Sequence, residues 1–165
     1  MAHLLCGGIF LAWATLVGTA DIRCRRIPNS LVIAGLAGAL VGAVIGGNPF
    51  GVTALQSLAG ASVGVVCFSP LFALRVMGAA DVKVFGVLGA WCGVQALPWF
   101  WIIASIAAGL HALWLMVLSR TSIAMLCKRS TPAMALGGRR ATPYAAFLVI
   151  PAAVWLLHFM HVRGV

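Results

Sequence analysis

Five apolar runs dominate the chain, at about 3–20, 31–47, 52–74, 84–118 and 142–160. A helix that crosses a bilayer needs about 20 such residues, with a range of roughly 17–25. Every run but 84–118 fits one helix. That run, about 35 residues long, would make a helix of about 52 Å, against a hydrocarbon core of about 30 Å. It contains a natural break at Cys92-Gly93-Val94-Gln95-Ala96-Leu97-Pro98. Divided there, the chain is predicted to be an all-α polytopic membrane protein. Its six transmembrane helices fall at about 3–20, 31–47, 52–74, 81–94, 98–119 and 142–160, in a single domain over 1–165. Charged residues make up 8% of the chain, whereas soluble domains carry about 25%.

Charge placement tests the division independently. The formal charge is +9. The basic residues interrupt the apolar runs instead of lining one exposed face, so a lipid bilayer is the expected partner and nucleic acid is not. Arg23, Arg25 and Arg26 lie in one connection, and Arg75 and Lys83 in a second. Arg120, Lys128, Arg129, Arg139 and Arg140 lie in a third, while connections 48–51 and 93–97 carry no charge. With six helices all three basic connections share one side, which the positive-inside rule makes cytoplasmic. Five helices would turn the most basic connection outward. Both termini are then outside. Gly18-Thr19-Ala20 loosely resembles a signal-peptide cleavage site, but no Lys or Arg precedes the first run and the basic cluster follows it. That polarity suits a first transmembrane helix.

Local signals mark several helix boundaries. Asn29 and Ser30 are expected to cap helix 2 after Pro28, and Thr142 and Pro143 to serve as N-cap and first residue of helix 6. Gly38, Gly42 and Gly46 make a small-residue stripe on helix 2, and Gly60 and Gly64 repeat it on helix 3. Such stripes let helix backbones approach closely. Helix 4 is unusually short.

The chain contains two acidic residues, Asp21 and Asp81, and no Glu. The charge-derived topology puts both at the cytoplasmic face without using the acids themselves. An ionisable side chain bordering a membrane segment is costly and marks a candidate functional site. Two facing carboxyl groups can share a proton, the arrangement that activates water for peptide hydrolysis. The competing reading is a pair of surface salt bridges with Arg23, Arg25 and Lys83. Asp81 opens helix 4, where the macrodipole and Lys83 favour a carboxylate. Asp21 closes helix 1, where the dipole opposes one. This contrast points to Asp81 as base and Asp21 as acid. Gly78, Ala79 and Ala80 before Asp81 allow a close backbone approach.

Other chemistry is less well supported. Cys6, Cys24, Cys67, Cys92 and Cys127 form no C-x-x-C pair, and no His lies at metal-ligand spacing from another ligand. No metal or cofactor is expected. Cys24 sits in a basic connection that favours its thiolate, but the cytoplasmic side offers no His to pair with it. His111 reads as a hydrogen-bonded structural residue in helix 5, and His158 and His161 as interfacial. No G-x-S-x-G occurs, so a serine hydrolase elbow is excluded.

Asp21-Ile22-Arg23-Cys24-Arg25-Arg26-Ile27-Pro28-Asn29 resembles the D-x-x-x-x-x-I-P-N signature of the type IV prepilin peptidases. Gly78-Ala79-Ala80-Asp81-Val82-Lys83 resembles their G-x-G-D-x-K signature, with Ala80 in place of the second Gly. Pro143-Tyr144 resembles the P-[FY] segment that opens their last helix. The resemblance implies a G-x-G-D-type aspartic endopeptidase of the bacterial inner membrane, with Asp21 and Asp81 as its catalytic pair. It would cleave the leaders of prepilin or pseudopilin precursors after a Gly, on the cytoplasmic side. Gly78, Ala79, Ala80, Lys83, Ile27, Pro28, Asn29, Pro143 and Tyr144 would shape the site. Ala80 would restrict a backbone that the family's Gly leaves free. Bifunctional members also carry a region with paired C-x-x-C motifs and methylate the new N-terminus. This chain lacks those motifs and resembles the short, peptidase-only form of Flp/tight-adherence pilus systems, with pilus or secretion machinery as a further partner. No methyltransferase or zinc-binding domain is expected. Two alternatives are a non-catalytic pilus-assembly subunit and a small proton-coupled transporter.

Overall fold

The computed structural model describes residues 1–24, 26–74, 77–120 and 144–163. Among the described residues six α-helices follow one another: α1 Ala2–Cys24, α2 Asn29–Val44, α3 Ala54–Ala73, α4 Ala79–Cys92, α5 Leu97–Arg120 and α6 Tyr144–Arg163. A 3-10 turn, Val94–Ala96, precedes α5, and no strand occurs among the described residues. The long apolar run divides at its Gly and Pro. Gly93 ends α4 with φ of 78°, in the region favouring glycine, and Pro98 is the second residue of α5, where its missing N–H costs nothing.

Among the described residues three segments are long and apolar enough to cross a membrane: Ala2–Cys24, Ala54–Ala73 and Val94–Val117. Asn29–Val44 and Tyr144–Met160 are shorter apolar helices. The 14 residues of α4 reach only about 21 Å. Helix α4 lies at the centre of the bundle, against α2, α3, α5 and α6. Val82 and every residue from Val84 to Cys92 are buried, so α4 is apolar on all sides.

The α3–α4 seam depends on missing side chains. A Cβ on Gly60 would run into the Gly89 carbonyl oxygen, and one on Gly89 into the Gly60 carbonyl oxygen. A Cβ on Gly64 would stand 2.7 Å from the Phe85 carbonyl oxygen. Backbones in contact replace a driving force that lipid does not supply, because lipid tails are as apolar as leucine. The expected Gly60–Gly64 stripe therefore meets α4 at Phe85, Gly86 and Gly89.

The α2 stripe packs differently from expectation. Gly35, Gly38 and Gly42 face Trp13, Trp91 and Cys6. Gly46 lies beyond the end of α2 in a turn, with φ of 66° and open space around it, so its role is conformational. Gly35 leaves room for the Trp13 indole, which donates Nε1–H to the Leu31 carbonyl at 2.9 Å. Trp91 donates Nε1–H to the Gly35 carbonyl at 3.0 Å. At the same end of α4, the buried Asn48 donates Nδ2–H to the Trp91 carbonyl at 3.1 Å. Helix α3 starts with a capping box: Thr53 accepts from the Gln56 N–H, and the Gln56 side chain accepts from the Thr53 N–H.

Gly60→Ala and Gly89→Ala are each expected to cost about 3 kcal/mol through overpacking, seen as a lower thermal midpoint in detergent. Gly8→Ala, which meets nothing within 4 Å, is the control and leaves the midpoint in place. Trp91→Phe is expected to cost about 1–3 kcal/mol, since it removes a buried donor. A seam variant as stable as the control would contradict the backbone contact.

Candidate active site

Asp21 extends the buried face of α1, in register with Phe10, Ala14 and Val17. Only 8% of its surface is exposed. Its Oδ2 accepts the backbone N–H of Ala146 at 2.9 Å. Ala146 is the third residue of α6, so this N–H has no partner within its own helix. The last turn of α1 thus brings a carboxylate to the first turn of α6. Asp21 lies in the last turn of its own helix but, unlike the expectation from the α1 dipole, faces the positive N-terminus of another. Thr142 and Pro143, expected to open that helix, lie outside the described residues.

Asp81 is the third residue of α4 and half-buried. Its carboxylate folds back to accept the Gly78 N–H. This is half of a capping box, in which the third helical residue satisfies the N-cap N–H. Gly78 has an ordinary extended backbone, φ −74° and ψ 148°. Its lack of a side chain matters for space, because a Cβ would stand 3.0 Å from Asp81 Oδ2. Ala79 and Ala80 form the first turn in right-handed helix, so Ala80 is not required to reach positive φ. The restriction expected at Ala80 therefore has no counterpart in this backbone.

Asp21 and Asp81 are close enough to interact electrostatically. Each accepts one backbone N–H at a helix N-terminus. The helix-dipole contrast between them is therefore smaller than the sequence implied, and the division into base and acid that rested on it loses its basis. Two facing carboxyl groups can hold one proton between them.

The remaining candidates gather at the same end of the bundle. Ile27 is buried in the core, and Pro28 sets an extended entry into α2 with φ −66° and ψ 143°. Asn29 does not cap α2 with its side chain. Its Oδ1 accepts a hydrogen bond from Lys83 Nζ at 2.7 Å. Tyr144, half-buried at the start of α6, places its hydroxyl 3.1 Å from Ser105 Oγ on α5 and feels the charge of Asp81. Sequence reasoning missed Ser105 and the Ala146 N–H. A backbone donor carries no residue signature, and one serine in an apolar helix does not stand out.

His111 is half-buried, and its ring lies 5.7 Å from that of Phe147. Its Nδ1 has no hydrogen-bond partner among the described residues, contrary to the expected hydrogen-bonded role. Cys24 is exposed, while Cys6 and Cys92 are buried. A cavity of about 810 Å³, walled partly by Phe50, Gln56, Cys92, Trp99, Phe100 and Trp155, opens at the opposite end of α4 from Asp81.

Residues 8–113, which include both aspartates, match the type IV leader peptidase family. A prepilin leader peptidase/N-methyltransferase of Xanthomonas campestris pv. campestris is 29% identical over 147 residues, covering 84% of this chain and 44% of that protein. One of the same name from Dickeya chrysanthemi is 35% identical over 123 residues, covering 69% and 41%. The chain spans less than half the length of these curated relatives. No solved structure matches it at a significant level. With well over half of its length inside the family match, the chain belongs to the type IV leader peptidase family.

Proposed function

We propose that this chain is a membrane aspartic endopeptidase. It removes the leader of type IV prepilin-like precursors, of the Flp type, by cutting after a Gly at the cytoplasmic face of the inner membrane. The observation that carries the reading is the meeting of the chain's two acidic residues at one end of the bundle, 60 positions apart in sequence. The names of the relatives support the substrate class. The end that holds the aspartates also holds Arg23, Arg26 and Lys83, which supports a cytoplasmic face. The proposed topology has six membrane-embedded helices with both termini outside, and α4 is enclosed by its neighbours.

The proposed chemistry is general acid–base hydrolysis by the pair acting as a unit. One carboxylate takes a proton from water as the water attacks the scissile carbonyl. The other, protonated, donates its proton to the carbonyl oxygen; the first, now protonated, passes the water's proton to the leaving amine, and the second recovers its proton as the tetrahedral intermediate collapses. Two carboxyl groups and water are sufficient, so no metal is invoked. Gly at the cut lets an extended backbone enter beside Gly78 and Ala79, both exposed. The bilayer holds the precursor's apolar segment beside the enzyme, which replaces a search in three dimensions with local positioning.

Asp21→Asn and Asp81→Asn are each expected to slow leader removal at least about 100-fold, with membrane insertion intact. The measurement is processing of a co-expressed precursor, read as a mobility shift. Leader removal by either variant at the wild-type rate would rule out the two-aspartate mechanism. Asp21→Asn retains an oxygen for the Ala146 N–H, whereas Asp21→Leu leaves that buried donor unpaired. The Leu variant is therefore expected to be about 1–3 kcal/mol less stable than the Asn variant, measured as thermal midpoints in detergent.

A further inference from the structure

Helix α4 is tied to α2 at both of its ends, by bonds of different character. At the C-terminal end the ties are buried: Trp91 to the Gly35 carbonyl, with Asn48 bonded to the Trp91 carbonyl. At the N-terminal end the tie is exposed: Lys83 Nζ to Asn29 Oδ1 at 2.7 Å, across 54 positions of sequence. This second tie joins the two motif segments that carry the aspartates. Lys83 follows Asp81 by two residues, and Asn29 follows the connection that leaves Asp21.

The anchors of the two carboxylates do not themselves join. Asp21 is bonded to α6 through Ala146, and Asp81 is bonded within its own helix start through Gly78. Something else must set the position of the α4 start relative to the end of α1. Asn29 is suited to that task because its own position is constrained. Ile27, two residues earlier, is buried in the core, and Pro28 between them has a restricted φ. Lys83 has a matching constraint, since Val82 and Val84 on either side are buried.

Resting on the peptidase reading, we propose that the Lys83–Asn29 bond is a positioning clasp that sets the gap between the two carboxyl groups. Neither side chain takes part in the proton transfers. A displacement of about 1 Å at a reacting pair can cost on the order of 100-fold in rate. A charge-assisted bond between two anchored segments is short and directional enough to hold such a tolerance. Because the clasp is exposed to water, it contributes little to overall stability.

The test has two arms. In the first, spin labels are placed at Cys24 and at Ala79→Cys, both exposed positions, with Cys6, Cys67, Cys92 and Cys127 replaced by Ala. Distances are measured by electron–electron resonance in phospholipid vesicles. Lys83→Met and Asn29→Leu are expected to broaden or shift the distribution, and Asn29→Asp, which keeps an acceptor for Lys83, to restore it. An unchanged distribution in Lys83→Met overturns the clasp whatever the activity. The second arm follows cleavage of a quenched peptide with a basic leader ending in Gly and an apolar segment after it. Both disrupting variants are expected to lose 10- to 100-fold in kcat with KM within about twofold, at unchanged thermal midpoint, while Asn29→Asp stays near wild type. If Asn29→Leu retains full kcat while Lys83→Met loses it, Lys83 acts by charge alone and the clasp is wrong. If the wild type cuts no better than Asp21→Asn, the peptidase reading falls, while the distance arm still decides whether the clasp sets the geometry.

Discussion

A helix that begins in an apolar environment leaves its first N–H groups without partners, and lipid supplies none. The organisation of this chain follows from how its helix starts meet that requirement. Helix α3 uses the local pair Thr53 and Gln56. Helix α4 uses Asp81, folded back on Gly78. Helix α6 takes its partner from elsewhere, the Asp21 carboxylate at the far end of the chain's first helix. The two acids of the chain therefore each satisfy a backbone donor at the same end of the bundle. A buried carboxylate is tolerated when it is hydrogen-bonded, and the price of Asp21's burial is offset by the donor it satisfies.

The central helix is the second constraint. Its 14 residues are too few to cross about 30 Å of hydrocarbon alone, so it has to be enclosed by longer neighbours. Enclosure without a hydrophobic driving force requires close contact, which the Gly60–Gly89 seam supplies on the α3 side. On the α2 side the indoles of Trp13 and Trp91 fill the space left by glycines and bond to α2 carbonyls. Asp81, half-buried, sits in the first turn of this short helix, between exposed Gly78 and Ala79 and the buried stretch that begins at Val84.

Much of this was legible from residue order. Apolar run lengths pointed to an all-helical chain, because apolar helices are set by composition over many positions, and three of the described segments are long and apolar enough to cross a membrane. The break at Gly93 and Pro98 was legible because those residues have distinct backbone chemistry. The two aspartates stood out by rarity. What escaped reading was pairwise. Gly60 and Gly64 were visible as a stripe, but nothing in their spacing named Gly89 as the facing residue. Asn29 looked like an N-cap, since Asn before a helix usually is one, yet a partner 54 residues away claims its side chain. The polarity assigned to the aspartates from the dipole of α1 failed for the same reason. The dipole that Asp21 meets belongs to α6, and sequence does not say which helix ends touch.

The two carboxylates are held in different ways, and this bears on how the site can move. Asp21 bridges two helices, so its position is shared by α1 and α6. Asp81 is secured within its own helix start and travels with α4. The gap between them is therefore a relation between helices, adjustable by a tilt of α4 without breaking either carboxylate's own bond. The buried ties at Trp91 hold the other end of α4, about 15 Å along the helix from Asp81. The proposed clasp between Lys83 and Asn29 restrains the carboxyl gap at the end of α4 that those ties do not reach.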